Sequence, residues 1–195
     1  HRAAADGPAP DDPQRNVPTD TGPDTFAVYQ NAKGHVRLSS EFRYSGYRSI
    51  ELRDVAQDGD FPELQGYFPE RASGELYFHF AMLVANPEEP LNVALAGRSH
   101  FQIAEHGIAF WLRTIDGTLH HVSDSIPKKL FKLEPFTWYI VDVRLDIARG
   151  TYDLTIRRER MPTPLVTLED QPNSANAPGS SYIKFSFVGP VGQEA

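Results

Sequence analysis

The chain has 195 residues, 40% of them hydrophobic, which is enough for one domain with a substantial core. A formal net charge of -7 argues against a nucleic-acid-binding surface or a polybasic membrane patch, while leaving room for a local basic groove. The lack of cysteine excludes a disulfide framework and any thiolate metal site, and no apolar run reaches the roughly 18 residues of a transmembrane helix.

Residues 1–24 are rich in Pro, Ala and Asp and have almost no apolar periodicity, so they read as a flexible tail or linker. A single domain is expected over residues 25–190, with a short tail over 191–195. The chain begins at His1 without Met, as a processed or truncated form does. Together with the tail, this points to an exported protein, periplasmic or extracellular.

From Thr25 the pattern changes to short alternating runs. Phe26, Val28 and Tyr29 give a first strand, and residues 31–34 a turn. His35 to Tyr44 alternate as one long strand, with Val36, Leu38, Phe42 and Tyr44 on one side and Arg37, Glu41 and Arg43 on the other. Arg48 to Val55 repeat the pattern, with Ile50 and Leu52 against Glu51 and Arg53. Asp58-Gly59-Asp60 lies in a polar loop, and Glu63 to Phe68 form a short strand. Glu75 to Ala85 is the most apolar strand, with Leu76, Phe78, Phe80 and Met82 on one side and Tyr77 and His79 on the other.

Leu91 to Ala96 and Ser99 to Ile103 follow as short strands. Asp116-Gly117, between Ile108–Thr114 and Thr118–Val122, is a two-residue hairpin signal. Ser125 to Leu130, with Pro127 near its start, reads as one helical turn. The clearest element is the stretch from Phe136 to Ile156. Tyr139, Val141, Val143 and Leu145 alternate with polar residues; after Gly150, Tyr152, Leu154 and Ile156 do the same. This is an antiparallel hairpin with one buried face, which needs a second sheet to cover it. Leu165–Leu168 and Tyr182–Val188 complete the domain. About a dozen short strands, no sustained helical period and no internal repeat indicate an all-β sandwich or barrel.

The Phe136–Ile156 hairpin, with Trp138 near its start and Gly150 before its second strand, resembles the concanavalin A-like lectin/glucanase superfamily, as does the layout from Phe26 to Val188. The resemblance implies a jelly-roll β-sandwich of two curved antiparallel sheets, in a superfamily of lectins, laminin-G-like modules, glucanases and polysaccharide lyases. The Glu-x-Asp-x-Glu strand of laminarinase-type glucanases is absent. The Arg-x-Glu-Leu-Arg strand of alginate-lyase-type enzymes is matched at Glu51-Leu52-Arg53, but Ser49 stands where the first Arg belongs, and Gln102-Ile103-Ala104 lacks the His of the Gln-x-His strand.

Alternation alone suggests a site. If the strands share one sheet, Arg37, Glu41, Arg43, Glu51, Arg53, Tyr77 and His79 converge on a single face, with Trp111 as a further contact. In a jelly roll this would be the concave groove. Arginine forks match carboxylates or sulfates, and aromatic faces stack on sugars. The first functional expectation is a carbohydrate-binding module holding a glycan, acidic or neutral, on that face. The second is a polysaccharide lyase or glycoside hydrolase, with Tyr77 or His79 as base and Arg53 neutralising a uronate. The third is a structural or protein-interaction domain, in which the same charges are solvated ion pairs and the aromatics are packing.

No cofactor is called for. Asp58 and Asp60 are a turn before they are a Ca²⁺ site, and His120-His121 point to opposite faces and so do not readily share a metal. Carbohydrate is the expected partner, not nucleic acid.

Overall fold

The computed structural model describes residues 26–29, 34–54, 61–97, 107–174 and 182–189. The expected tails, the Asp58-Gly59-Asp60 turn and the Ser99–Ile103 strand lie outside the described residues. Those described form thirteen strands and no helix. In chain order they are β1 (Phe26–Tyr29), β2 (Gly34–Ser39), β3 (Ser49–Asp54), β4 (Glu63–Arg71), β5 (Glu75–Leu83), β6 (Asn92–Gly97) and β7 (Ile108–Ile115). Then come β8 (Thr118–Ser123), β9 (Ile126–Lys132), β10 (Trp138–Asp146), β11 (Thr151–Arg158), β12 (Val166–Pro172) and β13 (Tyr182–Val188).

They pair antiparallel into a seven-stranded sheet, β1-β4-β13-β6-β7-β8-β9, a four-stranded sheet, β12-β11-β10-β5, and a separate hairpin, β2-β3. The two larger sheets bury their apolar faces against each other. From the four-stranded sheet, Tyr139, Val141, Val143, Leu145, Tyr152, Leu154 and Ile156 point inward, as their alternation predicts. They meet Val93, Leu95, Phe110, Leu112 and Leu119 from the seven-stranded sheet. Sheet-on-sheet burial of this kind is the dominant favourable contribution to folding. An aromatic cluster fills one part of the interface: the Phe78 ring stacks on Phe185 with centroids 5.5 Å apart, and Phe80 meets Phe187 edge-on at 5.2 Å. Gly66 is required beneath this cluster, because a Cβ there would come within 2.0 Å of the Phe185 ring.

Two turns show how local sequence fixes register. Asp116 and Gly117 both adopt positive φ, 48° and 70°, the conformation a two-residue hairpin turn needs. Arg113 is thereby set opposite His120. Gly150, at φ 63°, ends the four-residue loop between β10 and β11 and sets Asp146 opposite Thr151.

Two expected elements are corrected. The strand predicted over His35–Tyr44 stops at Ser39. There the Ser39 hydroxyl accepts the Glu41 amide, and the chain leaves the ladder. Residues 40–48 instead carry Phe42 onto Phe136 and Tyr44 onto Trp138. The helical turn predicted over Ser125–Leu130 is strand β9. Among the described residues β9 ends its sheet, where Pro127 is tolerated because an outer strand can leave an N–H position unpaired.

Candidate functional site

The eight residues proposed from sequence lie on three surfaces. Arg37, Glu51 and Arg53 are on the β2-β3 hairpin. The Glu51 carboxylate accepts the Arg37 guanidinium at 3.1 Å and faces His35 Nε2, also at 3.1 Å. Burial pushes the Glu51 carboxyl up, but hydrogen bonds from His35, Ser39 and Arg37 outweigh it and hold its pKa below the usual range. Glu41 and Arg43 are exposed in the connection between β2 and β3. Tyr77 and His79 stand on β5, on the outward face of the four-stranded sheet. Trp111 is on β7, in the seven-stranded sheet. The expected convergence into one groove is therefore not found, because β2-β3 forms its own sheet and β5 belongs to the layer opposite β7.

The outward face of the four-stranded sheet is a lattice of matched charges. Arg144 donates to Glu75 and, at 3.1 Å, to Asp153. Asp142 faces His79 Nδ1 at 2.6 Å on one oxygen and accepts Arg157 at 2.7 Å on the other. Tyr77, 72% exposed, donates its hydroxyl proton to Glu75 at 2.7 Å. That bond raises the Tyr77 pKa and so works against its use as a base.

The outward face of the seven-stranded sheet has a different character. One cross-strand row runs through all seven strands in register: Tyr29, Glu63, Val188, Asn92, Arg113, His120 and Lys129. The neighbouring row is Ala27, Gln65, Ser186, Ala94 and Trp111, and beyond it Tyr67, Lys184 and Ala96 stand opposite one another. Around β4 and β13 the face is closed. Glu63 accepts hydrogen bonds from Gln65 Nε2 at 2.7 Å and from the Ser186 hydroxyl, and Tyr67 donates to Gln65 Oε1 at 2.6 Å. Lys184 is only 1% exposed. Burial lowers its pKa, against the opposing attraction of Glu63.

Around β6, β7 and β8 the face is half-open. Trp111 Nε1 donates to Asn92 Oδ1 at 2.9 Å, which fixes the indole. The Arg113 guanidinium lies over the indole, 5.3 Å from the ring centroid. Its Nε is buried without a hydrogen-bond partner. His120 Nδ1 lies 3.1 Å from the Thr118 carbonyl, which can only accept, so Nδ1 carries the proton and Nε2 is left for another partner. An oriented aromatic plane beside a guanidinium that no carboxylate holds can stack on a ring and fork onto an oxygen pair at once.

Of this face, only Trp111 was proposed from sequence as a ligand contact. Arg113 and His120 were recoverable, since the Asp116-Gly117 turn sets them opposite each other. Glu63, Gln65, Lys184 and Ser186 were not, because the Ser186–Glu63 bond closes a separation of 123 residues that no local pattern encodes.

No family model matches the chain, and no curated protein matches it. Solved structures do. A sialidase superposes with a TM-score of 0.62 at 15% identity, over 87% of this chain; the chain spans only 13% of the sialidase's length. The catalytic domain of a glycoside hydrolase family 131 protein from Coprinopsis cinerea gives 0.53 at 13% identity, covering 86% of this chain and 77% of that one. Peanut lectin gives 0.52 at 12% identity, covering 92% and 89%. Over the matched regions all three share one architecture. With its all-β layers stacked in the same way, this chain has the concanavalin A-like lectin/glucanase jelly-roll fold.

Proposed function

We propose that this chain is a carbohydrate-binding β-sandwich module that holds a glycan on the outward face of the seven-stranded sheet. The observation that carries this reading is the Trp111 indole, held by Asn92 and overlaid by the Arg113 guanidinium, which no carboxylate pairs among the described residues. Stacking on a sugar ring uses the indole face, while the Asn92 amide and Arg113 supply directional hydrogen bonds. The neighbours that share the fold include a lectin and two enzymes whose names mark them as acting on glycosidic bonds, which supports glycan as the ligand class.

Binding is favoured over hydrolysis for a reason of residue type. Glycoside hydrolysis by the common route needs two carboxylates flanking the bond. Among the described strand residues of this face, Glu63 is the single carboxylate, and it is already tied to Gln65 and Ser186.

The test is binding of the chain to a broad glycan panel, followed by Trp111→Ala. Loss of one stacked ring is expected to weaken a bound glycan about tenfold or more, since stacking on an aromatic side chain is worth roughly 1–3 kcal/mol. Tyr77→Ala and His79→Ala, on the opposite layer, are expected to leave binding unchanged. If those two weaken it and Trp111→Ala does not, the site has been assigned to the wrong face.

A further inference from the structure

The charges of the two outward faces are balanced in opposite ways. On β10 and β11 every arginine meets a carboxylate: Arg144 meets Glu75 and Asp153, Arg157 meets Asp142, and Arg158 meets Glu134. On β7, β8 and β9, Arg113, His120 and Lys129 stand directly opposite one another on adjacent strands. No carboxylate lies within ion-pair distance of any of them among the described residues. Lys132 adds a further cation to the same side of β9, opposite Thr118. Arg113 and Lys129 thus flank His120 with no carboxylate between them, and a bound anion would supply the charge that the face itself lacks.

The row also runs against the chain's overall charge of -7. An acidic protein that concentrates unmatched cations beside a half-open tryptophan has built a local positive field at that spot. Neighbouring strands are about 4.8 Å apart, so Arg113 and Lys129, two strands apart, are separated by roughly 10 Å across the sheet. That backbone spacing suits acid groups on separate units of a chain.

Resting on the reading of this face as a glycan site, we infer that its ligand is an anionic oligosaccharide, bearing carboxylates or sulfates. One acid group lies on the Arg113 fork next to the stacked ring, and another on Lys129 or Lys132. A single acidic sugar then binds more weakly than a short oligomer, because it engages only one end of the row. Affinity falls as ionic strength rises, because the exposed lysines are screened within a Debye length of roughly 10 Å at 0.1 M salt.

The experiment is calorimetric titration of the full chain with four probes: a short oligouronide, its sulfated counterpart, a neutral β-glucan oligosaccharide of equal length, and a single-stranded oligonucleotide. Expected is binding of at least one acidic glycan, about tenfold or more tighter than the neutral one, with the gap closing in high salt. Arg113→Gln is expected to weaken the acidic glycan about tenfold or more, and the exposed Lys129→Gln/Lys132→Gln pair several-fold, with little effect on the neutral probe. Because both lysines are exposed, that pair keeps the test valid if Arg113→Gln fails to fold.

If the neutral glycan binds as tightly as the acidic ones, and the lysine pair changes nothing, the anionic inference is overturned and the glycan reading stands. If no glycan binds, both fall. If the oligonucleotide binds more tightly than either acidic glycan, the row is a nucleic-acid surface and the inference is overturned.

Discussion

The outward faces of the two sheets are made from similar residue types and reach opposite electrostatic ends. On the four-stranded sheet, Glu75, Asp142, Arg144, Asp153 and Arg157 interlock so that each charge is met within the face. On the seven-stranded sheet, one carboxylate is tied to neutral neighbours, while Arg113 and Lys129 have no carboxylate within ion-pair distance among the described residues. A face whose charges are internally matched has little electrostatic reason to take a ligand. A face that gathers cations without carboxylate partners has folded at the expense of stability, and binding sites show that trade. The difference shows that a list of charged and aromatic residues does not locate a site; the state of their partners does.

The largest expected effect concerns the seam between the two faces. His121 is buried and its Nδ1 lies 2.7 Å from the Tyr152 hydroxyl across the sandwich. Burial, helped by Lys128 and His120, lowers its pKa from 6.5 to about 4. The unfolded chain takes up a proton near 6.5, whereas the folded chain resists it until about 4. Stability present above pH 6.5 is therefore lost as pH falls toward 4, by about 3 kcal/mol from this one group. Urea unfolding at pH 7 and pH 4.5 measures it. His121→Gln is expected to flatten the profile in that window. An unchanged profile in the variant would show that the charge balance on one of the faces, not the seam, sets the acid limit.

A smaller effect sharpens the contrast on the seven-stranded side. Lys184→Met replaces a buried ammonium with an apolar chain of similar length. Removing a buried ammonium whose desolvation outweighs its attraction to Glu63 is expected to stabilise the fold by about 1–2 kcal/mol, seen as a raised urea midpoint at constant slope. Lower stability would mean that Lys184 is matched in the folded chain, and the two faces would differ less than described.

Most of the fold was legible in the sequence, because the alternation of Tyr139 to Leu145 and Tyr152 to Ile156 is a local signal with one structural solution. Where the sequence reading went wrong, a local pattern was outcompeted. The alternation through Tyr44 is real, but Phe42 and Tyr44 find better partners in Phe136 and Trp138 than in a continued ladder. Pro127 suits a helix start as well as an outer strand, and pairing with β8 decided between them. The site was less legible for a topological reason. Alternation says which residues share a strand face but not which strands share a sheet, and the β5 and β7 faces were assigned together although they lie on opposite layers.

The smallest expected effect is on the four-stranded face, and its smallness is the point. Arg144 is exposed, and it donates to Glu75 and Asp153 at the end of the lattice that Tyr77 also joins. Arg144→Ala removes both ion pairs at once. Exposed pairs gain little over hydration by water, so the loss of stability is expected to be the least of the three and to vanish in high salt. Glycan affinity is expected to be unaffected, because nothing on this face reaches the Trp111 row. The Tyr77→Ala/Arg144→Ala double variant extends the test by clearing the lattice around Glu75. If that double variant lost glycan binding while keeping its urea midpoint, the matched charges would be working as a recognition surface, and the division of labour between the two sheets would have to be reversed.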